Sequence, residues 1–425
     1  MKIAIVNQPM DGIIPPHQNS IGIWTYQVAR RLAPSCDVAV YARWRRLQPK
    51  VEHDENVNYR FVLAAPNRVS SKFSKLFSRF YQVKRPLIAS SLYHLEYILQ
   101  VAYDLRKHPS DIIHIHNFSQ FVPIIRAFNP KAKIVLQMHC EWLTQFDPTL
   151  VRQRLNKTDL ILSSSQYIIE KIRRHFPDFA DRCHPVISGI DVDHFVSTGN
   201  HNVAQSNKTK QVLFVGRVSP EKGVHILLDA FREVIKHFPD THLNIVGPVG
   251  LVPFEFIIAL SDEDKVRDLA SFYQGNDYLS HLKTRLSSDV VARVFFRGFI
   301  PYSNLINYYR NADVFVFPSV WNEPLGVPPI EAMASEVPVV ATRGGGLKEI
   351  VEEGKTGLLV ERGDASALAN AILYLLQNED LRRKMGKAAR QRAVEHFSWK
   401  RTTERLLYQY RSIYESNEKK ELDDV

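Results

Sequence analysis

Short apolar runs separated by segments of helical spacing recur along the whole chain. Lys2–Val6 is a β-branched run, and the segment from Ile21 to Leu32 has helical spacing. Val38–Tyr41 alternates as a strand and Tyr59–Leu63 reads as another. Ile112–Ile115, Ile134–Met138 and Leu160–Ser163 are apolar strands with helical patterns between most of them, and a further strand starts at Pro185–Ile187. Such alternation predicts a parallel sheet covered on both faces. Residues 197–210, STGNHNVAQSNKTK, are polar and without period, and read as a linker. The pattern then restarts with strands at Gln211–Val215, Leu243–Val246, Val294–Phe296, Val314–Phe317, Val337–Ala341 and Gly357–Leu359. Helical spacing covers Val224–Phe238, Asp364–Gln377, Glu379–Phe397 and Trp399–Tyr414. The expected organisation is an α/β chain of two Rossmann-like, doubly wound domains, at 1–196 and 211–397. A last helix follows at 398–415, and then a charged tail at 416–425 without structure of its own. The stretch 248–289 reads as a partly helical insertion of no assignable role.

Composition narrows the class without choosing a function. With 425 residues, 45% apolar and 24% charged, the chain is an ordinary globular protein large enough for two cores. Cys36, Cys140 and Cys183 have no paired spacing, which fits a reducing, cytoplasmic setting and gives no zinc or disulfide frame. The opening MKIAIVNQPM reads as a first strand rather than a leader, and no run approaches the eighteen apolar residues of a membrane span. The net charge of +10 is uneven: residues 1–210 hold 28 Lys+Arg against 16 Asp+Glu (+12), and 211–425 the remaining 27 against 29 (−2). One half is thus suited to an anionic partner.

Candidate chemistry sits in the second half. In 317–349, FPSVWNEPLGVPPIEAMASEVPVVATRGGGLKE, Glu323 and Glu331 stand eight positions apart around Pro324-Leu325-Gly326-Val327-Pro328-Pro329. Prolines suit a helix start, so a helix is expected from near Val327, with Glu331 about one turn inside it. Helix-start amides and the helix dipole favour an anion there. An acid on each side can accept hydrogen bonds from hydroxyls, as a nucleotide sugar would offer. A lone pair of spaced acids is equally a pair of solvated glutamates. Upstream, QVLFVGRVSPEKG places Arg217 and Lys222 just after a strand, where ligands of doubly wound sheets bind. Two cations there can neutralise a diphosphate leaving group.

Together these segments resemble the family 4 glycosyltransferases (glycosyl transferases group 1), retaining enzymes of GT-B fold whose two Rossmann-like domains face a central cleft. The resemblance is strongest over 211–247 and 295–360. It implies that Arg217 and Lys222 bind the donor diphosphate, Glu323 the donor sugar and Glu331 the ribose. Backbone amides of Leu325, Gly326 and Val327, beside Pro324, would meet phosphate and sugar, and Gly298, Phe299 and Ile300 the nucleobase. GGGLKEI (344–350) matches a further family segment, and VISGIDVDHF (186–195) the domain boundary. In the first half the resemblance implies a glycine-bearing loop at Asn19-Ser20-Ile21-Gly22, with one glycine where a pair is usual. It also makes His139 the catalytic histidine near the donor sugar, while His114 and His116 pack or line the acceptor side. The last helix would cross back to the first domain. Leu325 stands where an aromatic is common, and Glu336 where glycine often ends the helix. Asp191-Val192-Asp193 resembles a metal signature of another glycosyltransferase class, against which its boundary context argues; because Arg217, Lys222 and helix amides supply positive charge, the expectation is no catalytic metal and no cofactor beyond the donor.

The activity implied is transfer of a sugar from a nucleotide-diphosphate sugar to an acceptor hydroxyl in polysaccharide, glycolipid or cell-envelope glycan synthesis. Another enzyme on the same architecture (an epimerase or phosphorylase) and a silent scaffold subunit are the alternatives. A nucleic-acid partner is not expected, because no recognition module is present. Residues 56–95 contain no acid, and Phe73, Leu76, Phe77 and Phe80 lie beside Lys72, Lys75 and Arg79 at helical spacing. The stretch 68–86 therefore reads either as a basic amphipathic helix for an anionic membrane face or as a surface helix packed on its domain.

Overall fold

The computed structural model describes residues 1–15, 18–44, 51–63, 83–196, 209–274 and 277–423. Most of the amphipathic stretch 68–86 and of the linker 197–210 lies outside them. The chain forms two compact units, Met1–Ser188 with Trp399–Val425, and Gly189–Ser398. The segment Gly189–Val196 thus belongs by its contacts to the second unit. There His194 stacks on Tyr302, and Phe195 meets the edges of Tyr302 and Tyr309.

The first unit is built on eight strands: β1 (Lys2–Val6), β2 (Asp37–Arg43), β3 (Val51–Asp54), β4 (Val57–Val62), β5 (Ile112–His116), β6 (Lys133–Met138), β7 (Leu160–Ser163) and β8 (Cys183–Pro185). They lie in the order β3-β4-β2-β1-β5-β6-β7-β8, parallel except for the antiparallel pair β3–β4. Two expectations are corrected here. β8 ends at Pro185 instead of starting there, because its pairing partners Ile161, Leu162 and Ser163 of β7 face Cys183, His184 and Pro185. β3 escaped the periodicity reading: it returns through a two-residue turn in which Glu55 and Asn56 both take positive φ (47° and 64°), a conformation glutamate seldom adopts.

One face of this sheet carries a core of Ile3, Ile5, Trp24, Val28, Leu32, Val38, Val40, Val57 and Tyr59, completed by Trp399, Leu406 and Tyr410 of the last helix. That helix runs from Trp399 to Asp423, so the segment 416–423 read as an unstructured tail is helical instead. The sequence there contains no proline or glycine to end the helix. Thr402 ties the helix to the end of the Met1–Ser188 segment by donating to the Ile187 carbonyl at 2.8 Å.

The second unit holds six parallel strands: β9 (Lys210–Val215), β10 (Thr241–Val246), β11 (Val294–Gly298), β12 (Val314–Phe317), β13 (Val339–Thr342) and β14 (Gly357–Val360), in the order β11-β10-β9-β12-β13-β14. Order reverses at β9, so the β9 and β12 carboxyl ends flank the switch point where such sheets bind ligands. The 248–289 insertion folds into short helices. Its Ile257, Ile258, Val266 and Leu269 bury themselves against Val320 and Trp321, immediately before Glu323.

Leu406 is fully buried. Truncation to alanine should therefore destabilise the first unit by about 2–5 kcal/mol, read as a lower urea midpoint, and an unchanged midpoint would detach the last helix from this core.

Candidate active site

β9 ends at Val215, and the chain turns through Arg217 and Ser219 into the Val224–His237 helix. β12 ends at Phe317 and leads through Ser319, Trp321 and Glu323 to the Val327–Ala334 helix. These neighbouring connections meet at one ion pair. Lys222 Nζ lies 2.9 and 2.7 Å from the two Glu323 oxygens, with side-chain exposures of only 12% and 8%. Glu323 also accepts from Ser319 Oγ at 3.0 Å and Trp321 Nε1 at 2.8 Å. The ammonium lies over the faces of Phe317 and Trp321, 5.4 and 5.1 Å from the ring centroids. Burying two charges is tolerable only with this degree of compensation.

Arg217 joins through an intermediary. It donates to Glu221 at 2.9 Å, and Ser219 donates to the same oxygen at 2.6 Å. The Glu221 carbonyl accepts from Val320 N, and Ser319 Oγ, which gives its one proton to Glu323, lies 3.2 Å from the same carbonyl, so Arg217 and Glu323 share neighbours in Glu221 and Ser319. Glu221, Ser319 and Trp321 were not singled out from sequence. Glu221 lies between Arg217 and Lys222 with nothing in its spacing to mark it, and its complete burial reveals it.

Glu331 is held separately. It is buried, and Tyr309 O–H donates to its Oε2 at 2.6 Å. Desolvation lifts its carboxyl to about 7, opposed by the tyrosine hydrogen bond. Gly326 caps the helix at φ 96°, and Pro328 and Pro329 carry no N–H, so the amides of Leu325, Gly326 and Val327 are the ones that the helix start can offer a ligand.

The triplet Gly344-Gly345-Gly346 explains how this loop can lie so close to its neighbour. Gly345, at φ 57°, would place a Cβ 2.2 Å from the Glu323 carbonyl oxygen. Gly345 N donates to Asn322 Oδ1, and Gly346 N to the Glu323 carbonyl. The insertion fastens the same loop from the other side. Glu263 accepts from Asn322 Nδ2 and Arg362 Nη1, both at 2.6 Å, and Arg362 also reaches the Val320 carbonyl. Pro324 and the buried Leu325 pack over Gly346. Gly298 accepts from Gly247 N at the end of β11, with Phe299 exposed after it and Ile300 half-buried. Asp191 accepts from His194 N, a turn bond that gives it local work.

In the first unit, His139 follows β6 with its backbone N donating to Asn117 Oδ1 at 2.7 Å. His116 Nδ1 and His139 Nε2 are 2.9 Å apart, and His114 Nδ1 is 2.7 Å from the Tyr410 hydroxyl. Burial holds all three rings neutral, with His114 and His139 pushed down to about 3. The expected glycine-bearing loop is corrected: Asn19 caps the Ser20–Leu32 helix, accepting from Gly22 N, so Gly22 lies in the first helical turn. A Cβ there would sit 1.7 Å from the Gly12 carbonyl oxygen, so glycine is required by chain packing.

Residues 21–194 match the family model described as Glycosyltransferase Family 4, and residues 199–392 that of Glycosyl transferases group 1. YtcC of Bacillus subtilis, whose name describes it as a glycosyltransferase, is 30% identical over 326 residues, covering 74% of this chain and 75% of that protein. A D-inositol 3-phosphate glycosyltransferase of Corynebacterium glutamicum is 32% identical over 269 residues, covering 60% and 57%. Sucrose-phosphate synthase of Thermosynechococcus elongatus superposes with a TM-score of 0.71 at 23% identity over 98% of this chain and 99% of that one, a likeness of fold. Among the described residues no helix is long and apolar enough to cross a membrane.

The raised Glu331 carboxyl has a defined pH consequence. A group lifted from 4.5 to about 7 favours folding fully below its unfolded value, and that contribution is lost as pH rises through 7. Glu331→Gln should therefore gain stability relative to the parent between pH 5 and pH 8.5, by at most about 3 kcal/mol. A pH-independent difference in denaturation midpoints would contradict the buried carboxyl.

Proposed function

The chain belongs to the group 1 glycosyl transferases of family 4, a GT-B glycosyltransferase, and on that footing we propose that it moves a sugar from a nucleoside-diphosphate sugar to an acceptor hydroxyl with retention of anomeric configuration. The bond from the anomeric carbon to the diphosphate oxygen breaks, and a bond to the acceptor oxygen forms. The acceptor proton leaves for the departing diphosphate or solvent.

The observation that carries this reading is the buried Lys222–Glu323 pair beside the Val327–Ala334 helix start. Without donor, each charge satisfies the other. With donor bound, Lys222 turns to the diphosphate, where Arg217 and the Gly326 and Val327 amides add positive potential. Glu323 stays in place because Ser319 and Trp321 hold it, and it accepts from a sugar hydroxyl. Glu331, poised near neutrality with Tyr309 behind it, suits the ribose hydroxyls, and Gly298, Phe299 and Ile300 the base. The resemblance gives His139 a substrate contact. These groups carry the chemistry without a resident metal or cofactor.

The balance of +12 over residues 1–210 supports an anionic, hydroxyl-rich acceptor such as a phosphorylated polyol or lipid-linked glycan. The C. glutamicum relative acts, by its name, on an inositol phosphate. Glycolipid or cell-envelope glycan synthesis is the setting that fits.

The test starts with thermal shift against uridine-, guanosine- and adenosine-diphosphate sugars, followed by a transfer assay with the stabilising donor. Glu323→Gln and Lys222→Met should each lower transfer by about 100-fold or more while far-UV circular dichroism stays unchanged. Full transfer by either variant would reject the assignment.

A further inference from the structure

The first unit contains a buried polar chain that no step above uses, and its direction can be deduced link by link. Asn7 Nδ2 lies 3.5 Å from the Tyr41 carbonyl, which can only accept. The Asn7 amide is thereby oriented with Oδ1 toward Thr25, whose Oγ1 is 2.7 Å away. A hydroxyl has one proton, and Asn7 Oδ1 takes it. Thr25 Oγ1 must then accept from His116 Nε2, 3.2 Å away, so His116 carries its proton on Nε2. Burial keeps His116 neutral, so its Nδ1 is a lone-pair acceptor. The 2.9 Å contact between His116 Nδ1 and His139 Nε2 requires the proton to come from His139. Asn7, Thr25 and His116 are all fully or almost fully buried, so water does not compete for these bonds. Trp24 packs edge-on to both rings, with centroids 5.0 Å from His116 and 6.0 Å from His139, and limits their rotation.

We propose that Asn7, Thr25 and His116 are positioning residues that fix His139 as the Nε2-protonated neutral tautomer, so that its Nδ1 faces substrate only as a hydrogen-bond acceptor for a sugar hydroxyl. In a neutral imidazole the hydrogen bond made by one nitrogen decides the role of the other. An acceptor at that point favours a ligand with a free hydroxyl and disfavours one that presents a bare oxygen. The identity of the ligand rests on the reading of His139 as a substrate contact, whereas the tautomer does not.

Nitrogen-15 labelling of histidine, with ring-nitrogen correlation spectra of the full chain, tests this directly. Wild-type His139 should show an unprotonated Nδ1 and a protonated Nε2. Thr25→Val keeps the shape but removes the acceptor for His116 Nε2–H. The two rings are then free to reverse, so the His139 signals should shift toward tautomer averages and kcat/KM should fall by about tenfold. Thr25→Ser should restore both. A wild-type His139 protonated on Nδ1, or Thr25→Val ring signals identical to the parent, overturns the proposal. Full transfer by His139→Ala would instead overturn the substrate role of His139.

Discussion

A lysine and a glutamate drawn from segments 101 residues apart meet out of water, and the second unit is arranged around that meeting. Neither charge could remain buried alone. The serine, the indole and the two aromatic faces around them are the compensation. The glycine triplet at 344–346 lets the glutamate loop settle directly on its neighbour, and Glu263 of the insertion holds the loop from outside. Each of these features costs conformational freedom or desolvation, and each helps to fix the Glu323 carboxylate in place.

The first unit solves a different problem. The ends of its β5 and β6 strands carry neutral histidines, and their order comes from a directional line of hydrogen bonds beginning at a backbone carbonyl. The last helix contributes to the same region, since Tyr410 contacts His114 and fills the core beside Trp24. Packing and polar order are therefore linked there: loosening the helix would let water compete for the hydrogen bonds that order the histidines.

Much of this was legible in the chain. The parallel sheets announced themselves through β-branched runs alternating with helical spacing. Lys222 stood out beside Arg217 just after a strand, and Glu323 as one of two acids eight positions apart around a helix start, with the family resemblance supplying their roles. Their supporting residues did not stand out. Glu221 looks like any solvated acid beside a lysine, and only complete burial distinguishes it. Glu263 lies sixty positions before the loop it holds, a distance no periodicity bridges. The β3–β4 turn was hidden because Glu55 adopts a backbone conformation that glutamate disfavours, and the last helix ran beyond Tyr414 because charge alone does not end a helix. Gly22 has a packing requirement that the sequence does not show: a Cβ there would meet the Gly12 carbonyl.

The central claim is that Lys222 exchanges Glu323 for the diphosphate of a bound nucleotide. Calorimetric affinity for the nucleoside diphosphate, compared between the parent and Lys222→Met, measures that exchange most directly. The account predicts a loss of about tenfold or more, equivalent to roughly 1.4 kcal/mol. Equal affinity in the two proteins would show that the lysine serves only the fold, and would contradict the account.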